Sequence, residues 1–222
     1  MSHAYSKSGV NYDYLDPVKR LGQKLGHETA ANLKNTLWKE LGESRGESAY
    51  IIEDKDKYYA TVIEGLGTKN LVADEMRKVT GKTYYDAIAY DTVAATVNDL
   101  ITVGARPLSV MAYWAAGESE WWKDEERLKD LAKGWKKACD DADCTWGGGE
   151  TPSMTDIVYP KTINLVGSGF GIIKPKERLI LGDNIKHGDC ILFLASNGIH
   201  ANGLSLARKI AGKLKNGYKE EL

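Results

Sequence analysis

The stretch from Tyr84 to Ala105 constrains this chain more than any other. Apolar residues, many of them Ala, recur there at i, i+3, i+4 and i+7, and Gly104 falls where a helix C′ residue belongs, so the pattern predicts a helix. Three oxygen-bearing side chains interrupt the apolar run: Asp91, Asn98 and Asp99. The seven-residue spacing of Asp91 and Asn98 sets them on one side, with Asp99 about a quarter turn round. Burying a carboxylate is costly unless a cation or a hydrogen-bond donor answers it. A solvated face normally mixes both signs of charge, and this stretch carries neither Lys nor Glu. It reads as a helix presenting oxygen ligands to a hard cation such as Mg²⁺.

A chain of 222 residues can house that helix in one large domain or two small ones. With 42% hydrophobic and 27% charged residues it is globular in composition, and a net charge of −1 gives no pull toward nucleic acid or an anionic membrane. No apolar run approaches the length of a membrane span and no secretory segment opens the chain, so a soluble, cytoplasmic protein is expected. Cys139, Cys144 and Cys190 are odd in number and lack C-x-x-C spacing, which argues for reduced thiols.

Ahead of the central helix, residues 1–15 read as a loop or arm, and Asp16-Pro17 as the cap and first turn of a helix running to about Trp38. Residues 48–53 and 58–63 form a predicted hairpin around the charged loop 54–57. The second strand runs into Glu64-Gly65-Leu66-Gly67-Thr68-Lys69. There Gly65 and Gly67 allow close backbone approach to an anion, Thr68 adds a hydroxyl and Lys69 a mobile positive charge. Alone such a turn is a weak signal; beside the carboxylate helix it favours a phosphate-plus-metal site.

Beyond that helix, 108–115 reads as a buried strand, 118–124 as a loop with Trp121 and Trp122 packing, and Asp124 as the cap of an amphipathic helix that makes Cys139 a core residue. Residues 144–146 form a short predicted strand opening into a glycine loop, Gly147-Gly148-Gly149, that delivers Glu150 and Thr151. Three successive glycines suit close approach to a ligand. Residues 161–173 read as a strand whose alternate glycines at 167, 169 and 171 leave one face bare for a helix or another backbone. A boundary is placed at Lys174-Pro175-Lys176, dividing a 1–173 domain from a 174–222 segment. In the latter, 188–196 is a predicted strand, residues 197–203 a turn bearing His200 and Asn202, and 204–211 a helix whose N-terminus suits an anion or substrate. The tail from Lys213 to Leu222 is charged and shows no second core.

Taken together, YSKSGV at 5–10, EGLGTK at 64–69, YDAIAYDTVAATVNDLITVGARPL at 85–108, WGGGETPSM at 146–154, GSGFGII at 167–173 and SNGIHANGLSLARKI at 196–210 resemble the phosphoribosylformylglycinamidine cyclo-ligase (aminoimidazole ribonucleotide synthetase) family in order and spacing. The resemblance implies an α/β N-terminal ATP-binding and dimerisation domain with a mixed sheet and flanking helices, followed by the beginning of a second α/β domain that is longer in the family. It implies ATP- and Mg²⁺-dependent ring closure of formylglycinamidine ribonucleotide, with the formyl amide oxygen phosphorylated and ADP and phosphate released, by a homodimer whose site lies at the dimer interface. Carried over by position, Gly65, Gly67, Thr68 and Lys69 would hold the ATP phosphates. Glu64, Asp91 and Asp99 would serve the metal, with Asn98 orienting them. Gly148, Gly149, Glu150 and Thr151 would reach the nucleotide, and His200 and Asn202 the substrate. Lys69, Asp91 and His200 would be the catalytic set. Glu64 stands where the family motif has Asp, and Asn11 to Asp16 replace the family's acidic-Ala-Gly turn. Two alternatives stay open: a paralogue of the same ATP-dependent superfamily acting on another substrate, and a non-catalytic nucleotide-binding or dimerisation module. Selenophosphate synthetase is disfavoured, since its reactive N-terminal Cys has no counterpart before Cys139.

Overall fold

The computed structural model describes residues 8–219, so the start of the 5–10 motif, Tyr5 to Lys7, and residues 220–222 of the charged tail lie outside the described residues. Six strands form one mixed sheet in the order β1-β2-β3-β6-β4-β5. They are β1 (Lys39–Glu40), β2 (Tyr50–Glu53), β3 (Tyr58–Gly65), β4 (Arg106–Ala116), β5 (Thr145–Glu150) and β6 (Ile163–Ile173). The helices are α1 (Tyr12–Glu28), α2 (Lys69–Thr80), α3 (Tyr85–Thr102), α4 (Glu125–Asp141) and α5 (Leu204–Ala211). β2 and β3 make the expected hairpin, and β3, β6 and β4 pair antiparallel in turn. Only β5 joins its neighbour β4 in parallel, because α4 carries the chain back across the sheet between them.

The central helix is α3, and Gly104 at φ +84° ends it in the left-handed conformation that glycine adopts without a Cβ penalty. α3 lies directly on β6. A Cβ at Gly167 would stand 2.2 Å from Thr96 Oγ1, and one at Gly169 would stand 2.8 Å from Thr96 Cγ2. The bare face read from the alternating glycines is therefore the seat of this helix. Thr92 and Thr96 keep their hydroxyls satisfied by bonding back to the carbonyls of Ile88 and Thr92, at 2.8 and 3.0 Å. Trp121, Trp135, Leu131 and Cys139 fill the core between α3, α4 and the sheet, as the amphipathic pattern of α4 predicts. Burial there pushes the Cys139 thiol up to about 12, consistent with packing rather than chemistry. Asp124 caps α4 by accepting from the Arg127 backbone N–H at 3.2 Å.

The structure corrects four expectations. The first helix begins at Tyr12, not Asp16, because the Asn11 side chain accepts from Asp13 N at 3.0 Å and supplies the cap, leaving Pro17 inside. It stops at Glu28 and continues only as a 3₁₀ segment, Thr29–Asn35, short of Trp38. Residues 145–150 form one strand, so the three glycines belong to the edge of the sheet and not to a loop. A Cβ at Gly149 would stand 1.9 Å from the Ala112 carbonyl, so glycine is required there by β4. Residues 188–196 form no strand; they run in irregular, exposed conformation with no neighbouring edge to pair with. Finally, Lys69 does not merely precede the carboxylate helix. It opens α2, whose end Gly81 marks at φ +79°.

Candidate active site

One cleft of about 380 Å³ gathers Glu64 from the end of β3, Asp91, Asn98 and Asp99 from α3, and His200 and Asn202 from the loop before α5. The α3 residues converge for the reason their spacing predicts. Glu64 joins them because it pairs with Gly167, in the row of the sheet that faces α3. A larger hollow of about 830 Å³ lies between the 3₁₀ segment and β1, beside His27, Trp38 and Glu40. Its one buried carboxylate is already consumed. Arg45 donates to Glu40 at 3.0 and 2.5 Å, Tyr50 donates at 3.0 Å, and His27 lies 2.9 Å away. Chemistry, not size, selects the smaller cleft.

Lys69 forms an ion pair with Asp91 and donates to the Ile199 carbonyl at 3.2 Å. It thus ties α2, α3 and the His200 loop together at one corner. Beside it, Gly67 takes φ +72° and the Thr68 hydroxyl is buried with no partner. An orphaned donor at the N-terminus of a twelve-residue helix, next to an ammonium group, is a fitting cradle for a phosphate oxygen. At the other end of the cleft the Glu64 and Asp99 carboxyls face each other. Burial, and then the charge of Asp99, raises the Glu64 pKa; burial also raises that of Asp99, against a hydrogen bond from Glu64 that lowers it. Two adjacent carboxylates that resist ionising together fit a hard dication, which would relieve both the burial and the repulsion. Among the described residues no group of three or more His, Cys, Asp or Glu side chains is gathered closely enough to hold a metal ion, and Asp91 is ion-paired with Lys69. His200 is exposed and its Nε2 lies 3.0 Å from Ser196 Oγ.

Gly148, Gly149, Glu150 and Thr151 are not in this cleft. The row Glu64, Gly167, Ala112 and Gly149 runs across β3, β6, β4 and β5, three strand spacings or roughly 14 Å. Glu150 pairs with Tyr113 in the next row, whose side chains alternate to the other face of the sheet. The structure thus unites Glu64, Lys69, Asp91, Asn98, Asp99, His200 and Asn202, and holds Glu150 and Thr151 apart from them. Sequence reasoning missed Tyr90, which also lines the cleft and donates to Asp141 at 3.0 Å. Its position one residue before Asp91 was the available signal.

A mixed sheet covered by helices on the face that ends in a carboxylate, ammonium and glycine-turn cleft defines the α/β class of this domain. The chain belongs to the AIR synthase related proteins: residues 46–173 match the N-terminal domain of that family. It is 37% identical over 210 residues to a phosphoribosylformylglycinamidine cyclo-ligase of Carboxydothermus hydrogenoformans, covering 92% of this chain and 56% of that one. A protein of the same name from Methanobrevibacter smithii is 34% identical over 206 residues, covering 92% and 55%. The one from Thermodesulfovibrio yellowstonii is 35% identical over 223 residues, covering 97% and 60%. The chain therefore spans little more than half the length of these curated relatives. Among the described residues, no helix is long and apolar enough to cross a membrane.

Proposed function

We propose that this chain carries the nucleotide-binding part of an ATP-dependent cyclo-ligase, which closes formylglycinamidine ribonucleotide to aminoimidazole ribonucleotide with release of ADP and phosphate. The observation that carries the reading is the meeting of the Glu64–Asp99 pair and the Lys69–Asp91 pair at one cleft, with the orphaned Thr68 hydroxyl adjoining Lys69 in the chain. The names of its relatives supply the reaction. Glu64 and Asp99 would hold Mg²⁺, which when bound supplies charge neutralisation at the phosphates. Lys69 and the N-terminal N–H groups of α2 bind and orient the phosphates, and Asp91 fixes Lys69 in place. His200 and Asn202 line the substrate side, on a loop held down through Ile199.

The protein would act as a homodimer through the open face of its sheet, where Ile63, Met111 and Phe170 stand exposed. Glu150 lies toward that face, so it would reach nucleotide only across the dimer. Residues 174–222 would open a second α/β domain. Support for this comes from the exposed apolar run Ile191 to Leu194, which has the composition of a buried strand.

The test is ADP release from Mg²⁺-ATP with and without formylglycinamidine ribonucleotide, using the full-length gene product. Substrate-stimulated release is expected. ATP binding without stimulation would shift the assignment to another substrate of the superfamily, and absence of ATP binding would remove the reading altogether.

A further inference from the structure

A second cleft, of about 460 Å³, lies on the flank of α2 away from Lys69, between that helix, α5 and the turn before β6. Arg77, Arg127, Lys161 and Arg208 point positive groups toward it, while Asp74 and Glu75 bring negative ones. Most of these charges are answered locally. Arg77 pairs with Asp124 and Glu126, and Lys78 pairs with Glu75 at 2.7 Å. Asp74 accepts from the Tyr85 hydroxyl at 3.1 Å and faces Arg127 at 3.9 Å. Two cations remain over. Lys161 and Arg208 have no ion-pair partner among the described residues.

The donor inventory is as uneven as the charge. Arg208 Nε and Arg127 Nε are both buried without a hydrogen-bond partner, on two residues that line this cleft. The Arg127 guanidinium is held in place by stacking 4.1 Å over the Trp121 ring and by donating to the Trp121 carbonyl at 3.1 Å. Its Nε makes no hydrogen bond and lies 3.8 Å from Asp124 Oδ2. Lys161 sits at φ +63°, a left-handed conformation that few non-glycine residues adopt, at the rim of the same cleft. Buried N–H groups are satisfied in nearly all folded proteins, and the unanswered Arg208 Nε in the same cleft as the unpaired Lys161 calls for an acceptor.

We propose that this cleft is a binding site for a phosphate-class oxyanion, held by Arg208, Arg127 and Lys161 and separate from the nucleotide cleft. A tetrahedral oxyanion has enough acceptor oxygens to answer the Arg208 Nε–H, the Arg127 guanidinium and the Lys161 ammonium at once, where a halide or single carboxylate does not. The guanidinium groups provide directional donors and Lys161 a point charge. Because α2 begins with Lys69 and α5 follows directly on the His200 loop, the anion fastens together the two elements that flank the nucleotide cleft.

The test is isothermal titration of the full chain with inorganic phosphate, and in parallel with methyl phosphate, at constant ionic strength held with chloride. The titrations are made in the K69Q background, so that the phosphate cradle of the nucleotide cleft does not contribute, and this parent should still bind phosphate. The R208Q/K161Q double variant should weaken binding at least about tenfold, a change of ~1.4 kcal/mol. Lys161 is exposed, so K161Q alone tests the site without risk to folding and should weaken binding about threefold. Tighter binding of methyl phosphate would mark a phosphorylated ligand as the occupant, and tighter binding of inorganic phosphate the free ion. Undiminished binding in R208Q/K161Q and K161Q, or no binding in the K69Q parent, would each overturn the proposal.

Discussion

Residues 163–173 and 189–196 are both apolar stretches of strand-forming composition, and they finish in opposite environments. β6 is paired on both sides, by β3 and β4, and covered by α3, so Ile163, Leu165 and Ile173 are buried. The second stretch has no ladder on either side, and Phe193 and Leu194 are 90% and 96% exposed. The difference teaches that composition supplies only the capacity to be a strand. Backbone N–H and C=O groups must also find a neighbouring edge, and in the described residues that edge exists for one stretch and not the other.

The sharpest way to break this contrast is to remove the core behind β6. Trp135→Ala, at a fully buried position, should cost about 3–5 kcal/mol in urea unfolding; a loss under about 1 kcal/mol would mean the sheet does not rest on that cluster. Next comes the polar knot that ties α1 to the sheet, since Arg45 bonds both Glu40 and the Gly26 carbonyl. The Arg45 hydrogen bond holds the Glu40 carboxyl down to about 2 from 4.5. A depressed carboxyl stabilises above its unfolded pKa, and that contribution fades as pH falls from about 4.5 toward 2. Glu40→Gln should therefore lower stability at neutral pH by about 1.5–3 kcal/mol and flatten the acid limb. An unchanged limb would show that the knot carries no such linkage.

Gly167→Ala should destabilise by about 1–3 kcal/mol through collision with Thr96, and combining it with Thr96→Ala should restore part of the loss. Strictly additive effects would deny that α3 seats on that glycine. Lys69→Gln separates site from scaffold: ATP affinity should fall at least about tenfold, ~1.4 kcal/mol, while the unfolding midpoint stays nearly still. Equal affinity would remove Lys69 from the phosphate cradle. The smallest effect belongs to the second stretch, where Phe193→Ser should change stability by no more than about 0.5 kcal/mol. A larger loss would reveal packing for a side chain that here is 90% exposed.

Much of this is legible in the sequence. The α3 periodicity, its Gly104 stop and the β2–β3 hairpin all rest on local rules, and the residues obeyed them. The three-glycine run was misread because its cause is not local: Gly149 answers to the Ala112 carbonyl, 37 residues earlier in the chain and visible only once β5 lies parallel to β4. The same holds for the cleft. Glu64, Asp91 and Asp99 could be nominated one by one, but that Asp91 is engaged by Lys69, and that Glu150 lies in another row of the sheet, follows from register and packing. Helix α2 is bracketed by Thr68 and Gly81, but its first residue, Lys69, also closes the glycine turn, and the turn chemistry masks the helix start.

The contact from Lys69 to the Ile199 carbonyl closes a loop of 130 residues. Local hairpins and helices form on short closures, whereas this one must wait until the whole sheet has placed both of its ends. The cleft is thus kinetically the junior part of the molecule, assembled last and resting on one exposed loop. Conditions that loosen the chain only slightly would open this corner first, while the sheet, with its secondary structure intact, persisted.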